Sequence, residues 1–220
     1  MEKAYRNLAL FASLLFVITI LGFYKTYFAL FPAFDASTTK LVHIHLMLLL
    51  SWIVLLIVQP FLIRKRKYKA HRIVGKASYF LVPLIVLSMI GMIHKQFMED
   101  VQQRMSLPEN LKAIFIGIAQ LILFVWFYIF SIIHKKNIAY HMRYMIGTGL
   151  VMITPAFARL CYEITNANLL SGIASFVLTD FIIAWLVISD KRKKRKYKPY
   201  ISMLIAFILY QSLFLIFQIT

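Results

Sequence analysis

Residues 40–75 read KLVHIHLMLLLSWIVLLIVQPFLIRKRKYKAHRIVG. The apolar run from Leu41 to Ile63 has the length that crosses a bilayer as an α-helix, and the basic cluster Arg64-Lys65-Arg66-Lys67 closes it. Within the run, His45, Trp52 and Gln59 recur every seven residues. At about 100° per residue, seven residues are nearly two turns, so the three side chains form one line down one face. That line points towards His71-Arg72, just past the end of the helix. Polar groups are costly in lipid, so the line should face protein or a cofactor.

The rest of the chain has the same character. It has 220 residues, is 61% hydrophobic, and has a mean hydropathy of +0.77. Soluble domains average about 45–50% apolar, and here the excess falls in long blocks. These features give an all-α, polytopic membrane protein. Seven blocks reach helix length, over 8–30, 41–63, 74–94, 111–133, 143–163, 168–189 and 200–219. The first is too long for a signal-peptide core and has no small-residue cleavage site, so it is expected to remain as a span. The lone cysteine, Cys161, excludes an intramolecular disulfide and a cysteine-rich metal site.

The net charge of +17 would suggest nucleic acid in a soluble protein. Here the basic residues sit in alternate loops: Lys3 and Arg6; 64–76; Lys135, Lys136 and Arg143; and 191–198. Positive loops are retained in the cytoplasm, so the chain is expected to have its N-terminus inside and its C-terminus outside, in a bacterial inner membrane. This distribution argues against a nucleic-acid partner. Stretches 64–76 and 191–198 would meet anionic lipid head groups, although topology alone also explains them.

Several spans carry a three-four rhythm of polar or small residues. It runs through Gly117, Gln120, Phe124, Phe127, Ser131 and His134; through His141, Met145, Thr148, Met152, Pro155 and Arg159; and through His71, Gly75 and Ser78. This is the seam of a left-handed helix bundle. The expectation is therefore a core four-helix bundle from spans two to five, about residues 40–163, with spans one, six and seven flanking it. His43 and His45 lie about 200° apart around their helix, so His43 should face head groups or solvent while His45 faces inward.

Histidine is a good ligand for haem iron and other metals. Two histidines on facing helices at one depth would ligate haem b. The ligands would come from His45, His71, His134 and His141, with Arg72, Arg143 and Arg159 on propionates or other anions. A metal site would draw on His45, His71 and His141. Against these stands the interfacial reading, in which histidines beside Lys and Arg contact head groups. Arg159 is balanced between an anion site and a local pair with Glu163. Gln59, Gln120 and Asp180 are the remaining polar groups within spans. Asp180, near the middle of span six, is a functional candidate by position, and it could equally bond Gln211. The chain has no H-E-x-x-H, G-x-S-x-G, P-loop or dinucleotide-binding glycine pattern.

The ordered motifs H-x6-W-x6-Q (His45, Trp52, Gln59), HRxxG (His71, Arg72, Gly75), HxRxM (His141, Arg143, Met145) and PxxxR (Pro155, Arg159) resemble those of a family of uncharacterised bacterial multi-spanning membrane proteins. The resemblance covers residues 40–160 and implies a fold without a reaction. A weaker likeness is to b561-type membrane cytochromes, through histidines near both faces of a four-helix core. It implies haem and electron transfer with a quinone or redox partner. This sequence departs from that pattern in placing its inner histidines at helix ends. The rival expectation is a non-catalytic assembly factor, small transporter or sensor whose polar seams only join helices, and a metal-binding membrane enzyme is a third.

Overall fold

The computed structural model describes residues 2–34 and 38–219. Among them every long element is helical. In order these are α1 (Glu2–Gly22), a 3-10 turn (Phe28–Leu30), α2 (Lys40–Arg64), α3 (Tyr68–Lys76), α4 (Ser78–Gln102), α5 (Leu107–Ile133), α6 (Ile138–Thr165), α7 (Asn168–Arg192) and α8 (Lys198–Ile219). Six stretches, Lys40–Arg64, Tyr68–Gln102, Leu107–Ile133, Ile138–Thr165, Asn168–Arg192 and Lys198–Gln218, are long and apolar enough to cross a membrane. The apolar part of α1, Asn7–Gly22, is shorter. The chain is a polytopic, all-helical membrane protein.

Two of the expected blocks are built differently from their sequence reading. The first ends as an α-helix at Gly22, well before residue 30. The third is a helix pair, with the short α3 ending at Lys76 and α4 running from Ser78 to Gln102. The Ser78 hydroxyl donates to the Gly75 carbonyl (2.7 Å) at this break, so a carbonyl at the end of α3 is satisfied by a side chain. Elsewhere the ends follow local chemistry. Glu109 accepts from the Ser106 backbone N–H (2.9 Å) and hydroxyl (2.6 Å) at the start of α5, as in a capping box. Asn166 ends α6 in the left-handed region (φ 51°), which asparagine tolerates better than most residues.

The chain divides into two compact units, Met1–Met92 and Ile93–Thr220. In the first, α1 and α3 lie against α2, and Trp52 and Ile53 are fully buried. In the second, α5 packs on α6, α6 on α7, and α7 on α8, while α8 returns to both α5 and α6. Helix α6 is thus enclosed by three others. Every residue from Ile146 to Thr154 is buried, although this is the least apolar of the candidate spans. It is surrounded by protein, where polar groups find partners, rather than by lipid.

Spans six and seven, expected at the flank, are full members of this unit. Helix α8 buries Tyr200, Met203, Phe207, Tyr210 and Phe214 at three- and four-residue spacing. Helix α7 buries Ser171, Ser175 and Thr179 on a line of fours. Gly147 permits the approach of α6 to its neighbours: a Cβ there would stand 3.0 Å from both Met203 Cε and Phe127 Cδ2.

Candidate functional site

The line His45-Trp52-Gln59 runs down α2 to meet span three. His45 Nδ1 lies 2.9 Å from Ser88 Oγ on α4. The Ser88 hydroxyl also lies 2.8 Å from the Ile85 carbonyl, so Ser88 links the His45 ring to the backbone of α4. Trp52 is wholly buried. The Gln59 amide, oriented by its surroundings, donates to His71 Nδ1 and to the His71 carbonyl (3.2 Å), and accepts from the Gly75 N–H (2.9 Å). Gln59 therefore ties α3 to α2, and the HRxxG motif is the segment it binds.

His43, expected to face head groups or solvent, is half-buried. Its Nδ1 is 2.6 Å from the Tyr27 hydroxyl, and its ring meets those of Phe34 (4.6 Å) and Tyr27 (5.4 Å) edge-on. The aromatic turn after α1 covers that side of α2. Nothing in the hydrophobic period marked this, since Tyr27 and Phe34 lie outside a regular helix.

The second unit gathers His134 and His141 at the end that the charge bias assigns to the cytoplasm. His134 Nδ1 donates to the Phe130 carbonyl (2.8 Å). Its ring is stacked with Tyr140 (5.2 Å) and Phe130 (6.1 Å). His141 Nδ1 donates to the Ser131 carbonyl (3.0 Å) and lies 2.9 Å from Ser131 Oγ. Both imidazoles are anchored on consecutive residues of the last turn of α5, with the ring proton on Nδ1 and the lone pair on Nε2.

The arginines separate. Arg143 is buried and holds Asp190 on α7 through Nε (2.8 Å) and Nη2 (2.6 Å), while its Nη1 donates to the Ala139 carbonyl (2.7 Å). Its guanidinium also lies 5.5 Å from the centre of the Tyr200 ring. Arg143 thus has a carboxylate partner and a backbone carbonyl partner within its own unit. Arg72 is exposed on α3. Arg159 is exposed and donates through Nη1 to the Pro155 carbonyl (3.1 Å). Asp190 stands directly before the basic run 191–198, and that lone acid is the signal the sequence offers for it.

Among the polar groups within spans, Gln211 Nε2 donates to Asp180 Oδ1 (3.1 Å), the pairing that the sequence offered. Gln120 is buried on α5 with Nε2 unpartnered. His45 and His71 lie towards opposite ends of α2, since Gln59 is about 21 Å along the axis from His45. These two cannot share one metal. Among the described residues no group of three or more His, Cys, Asp or Glu side chains is placed to hold a metal ion.

No protein-family model matches this chain, and no curated protein or solved structure is significantly similar to it.

Proposed function

We propose that this membrane protein binds haem b in its helical interior and transfers electrons to or from a quinone or a redox partner. The observation that supports it most is the state of His134 and His141. Each donates its Nδ1 proton to a backbone carbonyl of α5. Such a bond fixes the ring and raises the basicity of the opposite nitrogen, as with metal-ligating histidines. His45 is held by Ser88. His71 is the reverse of His134 and His141, with Nδ1 accepting from Gln59, and is the weakest of the four candidates. Haem would supply one-electron chemistry. The chain's part is to hold the imidazoles and exclude water. Arg143 already holds Asp190, and exposed Arg72 is placed to meet anionic groups. The basic stretches 64–76 and 191–198 fit anionic lipids of a bacterial inner membrane.

A reduced-minus-oxidised absorbance spectrum of protein purified from a haem-replete host tests this reading. Soret and α bands are expected, weakened by His134→Ala and by His141→Ala. Absence of both bands after haem is added back would end it. A second reading, a non-catalytic membrane protein, is favoured by the mutual pairing of Gln59 with His71, Arg143 with Asp190 and Asp180 with Gln211. It expects no bands and no effect of the histidine changes on colour.

A further inference from the structure

A cluster of oxygen-bearing side chains lies halfway along three packed helices of the second unit. Asp180 is the thirteenth residue of α7, whose 25 residues run from Asn168 to Arg192. Gln211 on α8 donates to its Oδ1 (3.1 Å). The preceding residue, Thr179, is buried and lies 3.5 Å from Thr154 Oγ1 on α6. The Thr179 hydroxyl donates to the Ser175 carbonyl (2.8 Å). Next to Gln211, Tyr210 is 5% exposed. Its ring meets Phe176 of α7, one turn before Asp180, at 5.5 Å between centroids, and its hydroxyl completes no hydrogen bond.

Two features here ask for a ligand. Among the described residues no cation pairs with Asp180, although a lone carboxylate at mid-bilayer is costly. A buried tyrosine hydroxyl without a partner is also costly, and Tyr210 packs beside the same stretch of α7. We propose that Asp180, Tyr210 and Gln211, with the Thr154–Thr179 pair, form a reversible proton-binding site at the centre of the membrane. The carboxylate and one proton become the carboxylic acid, with no other reactant. Gln211 holds Oδ1, so Oδ2 takes the proton. The Tyr210 hydroxyl can donate to the ionised form or accept from the protonated one. From the elements packed on α7, α8 presents Tyr210 and Gln211 and α6 presents Thr154. Asp190 lies ten residues further on, about 15 Å along the axis. Asp180 is only part-buried, so a lipid-soluble reagent can reach it. The site stands independently of haem binding.

Dicyclohexylcarbodiimide reacts with protonated carboxyls in apolar surroundings and tests the site on the full chain in liposomes. Peptide mass spectrometry should find one adduct, on Asp180. Its yield should fall about tenfold per pH unit above a midpoint, as for a single titrating group. Asp180→Asn removes the adduct; Tyr210→Phe and Gln211→Leu move the midpoint. If Asp180→Asn fails to fold, the wild-type pH profile with mapping still decides. An unmodified Asp180 in folded protein from about pH 5 to about pH 9, a range spanning ordinary and buried carboxyls, would overturn the proposal. A yield independent of pH would do the same. Protection by sodium at fixed pH would also overturn it, by assigning the cluster to a metal cation.

Discussion

Two nitrogens of Arg143 converge on one carboxylate oxygen of Asp190, Nε at 2.8 Å and Nη2 at 2.6 Å, in the buried end of the α6–α7–α8 unit. Asp190 Oδ1 has Arg195 at 4.0 Å. Removing one partner of a buried ion pair leaves an uncompensated charge, at a cost of about 3–5 kcal/mol. Arg143→Leu and Asp190→Leu should each lower the melting temperature of the purified protein strongly, and the double change should lose less than the sum of the two. Strictly additive losses would mean that the residues do not depend on each other.

Gly147 sets the distance between α6 and its neighbours. A methyl group there would press on Met203 Cε and Phe127 Cδ2, both at 3.0 Å. Overpacking of this kind costs about 1–3 kcal/mol. Gly147→Leu should destabilise at least that much by thermal unfolding, and Met203→Ala in the same chain should recover part of the loss because it vacates one of the two contacts. No recovery would show that helix propensity or backbone, and not this contact, governs the position.

The Gln59 amide accepts from the Gly75 N–H and donates to the carbonyl of His71. Helix α3 has nine residues, fewer than the roughly 12–15 at which isolated helices become even marginal in water. Its order should therefore depend on α2. Gln59→Leu is expected to raise amide hydrogen exchange across 68–76 while leaving the centre of α6 protected. Unchanged exchange in 68–76 would refute this dependence.

The basic loops orient the chain. In a Cys161→Ser background, Lys194→Cys should react with an impermeant maleimide only when the cytoplasmic face is open. Arg104→Cys, in the turn between α4 and α5, should react from the outside. The reverse pattern would invert the topology read from the charge bias.

The order of apolar blocks, their lengths and the punctuation between them were enough to specify the helices, because crossing a bilayer demands long apolar segments with internally bonded backbone. The break at Ala77 was not legible. Gly75 and Lys76 precede it, but the apolar pattern resumes at once, and the stop is completed by Ser78. For the candidate site, the seven-residue line on α2 correctly marked an inward face, because helical period converts directly into direction. The Asp180–Gln211 pair was legible for the same reason that made Asp180 conspicuous: an acid at mid-span needs a partner.

Periodicity gives each helix an inward face but not the neighbour that face meets. That is decided by which side chains interlock, and only the tertiary structure held that information. It paired Arg143 with Asp190, 47 residues away. It set His43 among Tyr27 and Phe34. It also fixed the proton positions on His134 and His141, since these follow from which carbonyl each ring meets. The sequence by itself determined a membrane protein of apolar helices with inward polar lines; the pairing of those lines came from helix packing.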